Sequence, residues 1–387
     1  MIRKYLIGST LAVLLLAGCG GGSSDTVSST TGYLVDSAVE NVDYDCIADG
    51  DYNKTTGADG AFTCQNMHQV RFRLSYLVLG DISALPADGY VFPQDIIGVA
   101  RDQIENEEVT AMAQLLQSLD EDANLTNGIQ ISEEAKRALV EDANFTASDL
   151  DFYALRAAIQ LRTQTEAQAH LRETLQEVIL STGNSFDLSL YPESNLTDAQ
   201  KYTIAFMWNE EKLAKDLYLA LNSIYPTQQL ENIATRSETK HQALVEELVQ
   251  RYDLNITNLI DYSEHYSEEE LRAFEPGQFG IQAVQDLYDA LYSIGSQSQQ
   301  DALEVGCMVE VTDINDLNEE IAIAEEVNAS DLVAVFSHLR DGSYNHYWAF
   351  DTGLKNLGIT EGCCALGTID GINYCHPEYP QNSHIPQ

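Results

Sequence analysis

From residue 197 onward, apolar residues recur with a 3.6-residue period in four long stretches, and the lengths of the links between them restrict how they can pack. Thr197 and Gln200 form a capping-box signature that predicts a first helix over Asp198–Ile224, stopped just ahead of Pro226. A second helix is expected over 228–252, a third over 300–326 and a fourth over 330–357, ended by Gly358. The first and last links are short, which makes those pairs antiparallel neighbours. The middle link, 253–300, is long and carries one more periodic segment, "IQAVQDLYDALYSI". Two helices, a long crossover and two helices describe a four-helix bundle.

The chain before residue 190 has a different texture. Short alternating runs broken by turn residues, such as "GYLVDSAVENVDYDC" and "QVRFRLSYLVLGDI", predict a small β-sandwich over 32–105. Near Val109 the period changes to that of an amphipathic helix, and a helical extension is expected over 106–190, with a single helix across 148–179 on which His170 is exposed. The loop with Asp120, Asp122 and Asn124 lacks the glycine and glutamate of a calcium-binding EF-hand, having Leu125 and Ile131 at those positions, and reads as a solvated capping loop. The fold class is thus multidomain α and β, with the bundle over 191–358 and a cysteine-containing tail over 359–387. The chain holds 61 acidic and 20 basic residues, a formal net charge of −41, which repels phosphate backbones and argues against a nucleic-acid partner.

"RSETKH" contains the one E-x-x-H of the chain, in the middle of the second bundle helix. Spacing i, i+3 puts Glu238 and His241 on one face, flanked by Ile233 and Leu244, where an ionised glutamate is costly unless paired or bound to a cation. In the first helix, Met207, Glu211, Ala214 and Tyr218 share a stripe, so Glu211 points inward and Glu210 away. In the third, Asp313 aligns with Val309 and Leu317, Glu310 lies on the inward edge, and Gly306 admits a close neighbour. The fourth offers His346 in a segment rich in aromatics. Each helix supplies a candidate ligand, whereas His338 and His265 are expected to be spectators. A carboxylate-rich N/O set suits iron or manganese and can bridge two ions; the absence of thiolates argues against a closed zinc site.

The blocks "NEEKLAKDLY", "NIATRSETKH", "ALEVGCMVEVTDINDL" and "GSYNHYWAF", across about residues 196–358, resemble the DUF2202 family of the ferritin-like superfamily. Glu211 and Tyr218 are similar to the glutamate and tyrosine on the first bundle helix of ferritins and rubrerythrins. The resemblance implies ligand roles for Glu211, Glu238, His241 and Glu310, and a redox or metal-handling capacity, with two iron ions as the expected cofactor and manganese as the alternative metal. Di-iron members commonly repeat E-x-x-H on the fourth helix, where this chain has Ser343 three residues before His346. Either Asp313 supplies the missing carboxylate, or the site holds one metal, or none. "TTGADGAF" likewise resembles the repeated element of prealbumin-like, carboxypeptidase-regulatory modules, which speaks to architecture only.

At the amino terminus, Arg3 and Lys4 precede an apolar run ending in Leu16, Ala17, Gly18 and Cys19, which is similar to a bacterial lipoprotein signal. That resemblance implies a leader over 1–18, lipidation of Cys19, a flexible tether over 19–31 and attachment to the cell envelope, with Gly20 implying the outer membrane if the cell has one. Six further cysteines in an exported chain imply disulfides. Cys46 and Cys64 are expected to pair, whereas Cys307, Cys363, Cys364 and Cys375 allow three connectivities. A bulky amino-terminal module would obstruct a closed cage; a dimer stays open. Two functions compete: an envelope-anchored di-metal protein for redox chemistry or metal handling, as an oxidase or peroxidase, and a metal-free lipoprotein using the bundle as a scaffold. A hydrolase is disfavoured by the lack of a G-x-S-x-G elbow.

Overall fold

Residues 29–139, 143–257 and 259–381 are described by a computed structural model of the chain, which divides into two units, Met1–Leu190 and Tyr191–Gln387. The leader and Cys19 lie outside the described residues. No helix among the described residues is long and apolar enough to cross a membrane.

In the first unit the strands are β1 (Thr30–Leu34), β2 (Val39–Glu40), β3 (Asp43–Cys46), β4 (Asp51–Thr55), β5 (Ala61–Cys64), β6 (Val70–Leu74), β7 (Leu77–Ile82), β8 (Tyr90–Val91), β9 (Ile129–Gln130) and β10 (Ala143–Asn144). A three-stranded sheet runs β5-β1-β8 and a five-stranded sheet β10-β7-β6-β3-β4. In "VRFRL" the apolar residues point inward while Arg71 and Arg73 point out to Asp81 and Asp45, the period-two pattern of a sheet with one buried face. Phe62 and Phe72 meet edge to face between the sheets, 5.1 Å between ring centroids. The Cys46–Cys64 disulfide ties β3 of one sheet to β5 of the other.

Helices α1 (Pro93–Ile97), α2 (Glu107–Ser118), α3 (Glu133–Ala138), α4 (Leu150–Ala157) and α5 (Gln164–Ser181) follow. A boundary at residue 105 separates no two bodies, because Met112, Leu115 and Leu116 of α2 enter the same core as Phe62 and Phe72. Moreover, β9 pairs with β2 and β10 with β7, so segments beyond residue 105 complete the strand pairing. The single helix expected across 148–179 is two: Ala158 takes a left-handed conformation after α4, and Thr163 with Glu166 forms a capping box that starts α5. His170 is half-buried rather than exposed, bonding to Ser37 Oγ at 3.0 Å and facing the Asp36 carbonyl at 3.3 Å. In the 120–124 loop, Asp122 and Asn124 are exposed, but Asp120 is buried and accepts the Gln130 N–H at 2.8 Å.

The second unit is built on α6 (Asp198–Ile224), then α7 (Gln228–Asn232), a π-helical segment (Ile233–Glu238) and α8 (Thr239–Arg251) in one continuous rod, with α11 (Gln299–Glu326) and α12 (Ser330–Asn356) as the second pair. The crossover carries α9 (Glu268–Arg272) and α10 (Gln282–Gly295). Helices α11 and α12 approach closely at Gly306, where an added Cβ would stand 2.5 Å from the Phe350 ring. Two threonine hydroxyls accompany the π segment. Thr235 Oγ1 donates to the Glu231 carbonyl at 2.6 Å and Thr239 Oγ1 to the Ala234 carbonyl at 3.1 Å, so hydroxyls compete for carbonyls that an α-helix would use. After α12 the tail is pinned by Cys307–Cys363 and Cys364–Cys375, one of the three arrangements open from sequence. It is packed down through Tyr347 and Trp348, whose ring donors reach the carbonyls of Tyr374, Tyr379 and Pro380.

Candidate metal centre

Five of the six candidate ligands meet in the interior of the helical unit. Glu211 of α6, Glu238 at the end of the π segment, His241 of α8, Glu310 of α11 and His346 of α12 are each no more than 5% exposed. The π segment inserts its extra residue just ahead of the E-x-x-H pair, a feature often found at functional sites, and so sets the angle at which Glu238 enters the core.

Glu238 is the hinge of the arrangement. Its Oε1 lies 2.9 Å from His346 Nδ1, and its Oε2 lies 3.5 Å from His241 Nδ1. His241 Nδ1 is also 3.7 Å from Glu211 Oε2, and His346 Nδ1 is 3.3 Å from Glu310 Oε2. Two triads result, Glu211–Glu238–His241 and Glu238–Glu310–His346, in each of which one donor atom per residue lies within 4.8 Å of the others. They share Glu238, and the two imidazole rings stand 5.4 Å apart.

Neighbours hold these groups in place. Tyr218, fully buried, donates its hydroxyl to Glu310 Oε1 at 2.6 Å and leaves Oε2 to face His346. Ser237 Oγ lies 2.6 Å from His346 Nε2, fixing the ring so that Nδ1 faces the carboxylates. Gly342 of α12 has no room for a side chain, because the His241 imidazole occupies that space. Sequence reasoning did not single out Ser237 or Gly342; a glycine inside a helix, about 1 kcal/mol less favourable than alanine, was the available signal for the second.

Asp313, the sixth candidate, belongs to neither triad. It is half-buried on α11 and accepts a hydrogen bond from Ser343 Oγ. Its carboxylate therefore reaches the α12 position three residues before His346, the place where di-iron proteins commonly carry a glutamate. Burial raises its pKa well above the ordinary range, and Glu310 adds to the shift. Burial, with Asp313 and Glu238, does the same to Glu211. Glu238 goes the other way: burial opposes its charge, but the His346 and His241 imidazoles outweigh it and hold the carboxyl well below its usual range. Burial likewise opposes charge on His346, yet Glu310 and Glu238 together push its imidazole up to about 10. Among the described residues, no lysine or arginine forms an ion pair with Glu211, Glu238, Glu310 or Asp313.

Two expectations need correction. Glu210 does not simply face solvent: it is half-buried, and burial together with Asp316 and Glu320 of α11 raises its carboxyl to about 7. The stripe assignment placed it opposite Glu211, but helix α11 covers the flank between the two. His338, expected far around α12 from His346, lines the same cavity as His241 and His346, since eight residues are little more than two helical turns. His265 is exposed on the crossover.

The uncharacterized protein domain DUF2202 matches residues 200–367. The uncharacterized protein MJ0754 of Methanocaldococcus jannaschii is 31% identical over 171 residues, which span 44% of this chain and 83% of that protein. The crystal structure of hypothetical protein MJ0754 from Methanococcus jannaschii matches at 33% identity over 43% of this chain and 86% of that one, with a TM-score of 0.36. On the identity and the share of that relative which its helical unit spans, this chain belongs to the DUF2202 family.

Proposed function

We propose that the helical unit is a ferritin-like bundle that holds a dinuclear non-haem metal centre, of iron or, as the alternative, manganese, for redox chemistry or metal handling. The observation that carries this reading is the sharing of Glu238 between two triads, its two oxygens directed to different imidazoles. Glu211 and His241 would hold one ion, Glu310 and His346 the other, and Glu238 would bridge them. The donors are carboxylate oxygens and imidazole nitrogens, the set that suits iron and manganese. Charge supports two ions as well: Glu211, Glu238, Glu310 and Asp313 would carry four negative charges, which two divalent cations balance beside neutral imidazoles.

Iron bound there supplies reversible one-electron chemistry toward small oxidants. The protein's part is orientation. Tyr218 aims Glu310, Ser237 aims His346, and Ser343 holds Asp313 at the margin of the centre, where it can complete the donor set on the α12 side. We place the protein at the cell envelope, tethered through a lipidated Cys19, on the strength of the Leu16–Cys19 signal.

The test is metal content. The full chain, stripped with chelator and then given Fe(II) anaerobically, is expected to retain about two ions after desalting, as a carboxylate shared between two sites would imply. A chain that stays empty at moderate excess sinks the metal centre and leaves the scaffold reading.

A further inference from the structure

Beside the carboxylate cluster lies a cavity of about 610 Å³ within the helical unit, and His241 and His346 form part of its wall. Its volume falls in the range of small-molecule sites, roughly 300–1,000 Å³, and far exceeds what dioxygen or peroxide needs. The charge around it runs against the rest of the chain. Arg236, Lys240 and Lys355 line it, with Asp351 as the acidic residue, in a protein with 61 acids and 20 bases. Asp351 is already engaged, by Lys355 Nζ at 2.7 Å and by the Cys363 N–H at 3.1 Å. Arg236 and Lys240 are exposed and, among the described residues, form no ion pair. Two uncommitted cations at the mouth of a cavity in an otherwise acidic chain focus an attractive field on an anion and repel cations from that path.

We propose that this cavity binds a small organic anion bearing a carboxylate, held by Arg236 and Lys240 against the imidazole wall of the centre. The guanidinium fork matches a carboxylate. Ile233, Ala349 and Trp348 give the carbon skeleton an apolar surface. The inference rests on the metal reading for the ligand's role as substrate; binding itself is independent of it.

Calorimetry on the full chain separates the two. Benzoate is expected to bind, and benzamide, of the same shape without the charge, to bind at least about tenfold more weakly. Arg236→Ala with Lys240→Ala should lower benzoate affinity by about tenfold or more, the scale of lost charge-assisted hydrogen bonds, while metal content per chain is unchanged. Lys240→Arg should keep benzoate binding and so exclude a folding defect. Equal binding of benzamide, benzoate affinity that survives the double substitution, absence of benzoate binding, or displacement of benzoate by equimolar inorganic phosphate would each overturn the proposal. A chain that binds benzoate through Arg236 yet takes up no iron keeps the anion site and loses the metal centre; one that takes up iron and ignores benzoate does the reverse.

Discussion

Lys136 in the first unit and Glu238 in the second are buried to nearly the same degree, 1% and 3% exposed, but their surroundings settle their charges differently. The Lys136 ammonium has three protons to donate, and it meets Asn41 Oδ1 at 3.0 Å, Asp43 Oδ1 at 3.0 Å and Glu133 Oε1 at 2.7 Å. Arg73 and Asp45 show the same closure, with a two-pronged contact at 2.8 and 2.9 Å. Around Glu238, by contrast, carboxylates outnumber imidazoles and no lysine or arginine pairs with them among the described residues. A buried pair completed from within the chain holds a fold together. A buried acidic surplus is stable only if protons or an external cation make up the difference, and that separates a structural network from a binding site.

That contrast is easiest to break at its centre. Glu238→Ala should abolish retention of both ions, because it removes a donor from each triad, whereas Glu211→Ala and Glu310→Ala should each leave about one ion, as a shared bridge implies. Elemental analysis of the three variants decides it; equal retention in all three would dissolve the idea of a bridging carboxylate. In the first unit the corresponding change is Lys136→Met, which leaves Asp43 Oδ1 and Asn41 Oδ1 without their ammonium, although Asp43 Oδ2 keeps the Ser75 N–H and Asn41 Nδ2 the Ile131 carbonyl. It should destabilise that unit by about 3–5 kcal/mol in chemical unfolding, with no effect on metal content.

Asp36 sharpens the comparison from another side. It is wholly buried with one partner, Gln117 Nε2 at 2.9 Å, and burial raises its carboxyl to about 7 despite that bond. An acid whose folded pKa lies above its unfolded value favours the fold most when protonated. Its contribution is therefore complete below about pH 4 and is lost as pH rises toward 7, by up to about 4 kcal/mol. Asp36→Asn should flatten the stability profile of the first unit over that window, measured as the difference between wild-type and variant unfolding at each pH. The smallest effect belongs to Glu210→Gln, which should leave iron retention unchanged although its neighbour Glu211 is a proposed ligand; loss of an ion there would bring Glu210 into the centre.

Legibility from sequence followed the range of the interaction. The span Asp198–Ile224 could be read in advance because a capping box and a proline mark its ends locally, and the E-x-x-H face followed from helical spacing. The break between α4 and α5 could have been read too, since Thr163 and Glu166 carry the same capping signature as Thr197 and Gln200. Glu210 was misplaced for a different reason: a single-helix stripe says nothing of which neighbour covers its flank. His338 was legible after all, since eight residues of one helix bring it back near the face of His346. Nor does local pattern reveal the π segment, which shifts the phase of the residues that enter the core.

By itself, then, the amino-acid order determined where the four long rods of the second unit begin and end, that Glu238 and His241 share a face, and that Cys46 and Cys64 would be neighbours. These depend on contacts a few residues apart, or on cysteines confined to one unit. Tertiary structure alone decided that Glu238 stands between two imidazoles from different helices, that Ser343 draws Asp313 across from α11, that Cys307 pairs with Cys363, and that Arg236 and Lys240 open onto a cavity. Each of these requires groups tens to a hundred residues apart to arrive at one place. Only the packing of the rods against one another, down to the missing side chains at Gly306 and Gly342, sets those distances.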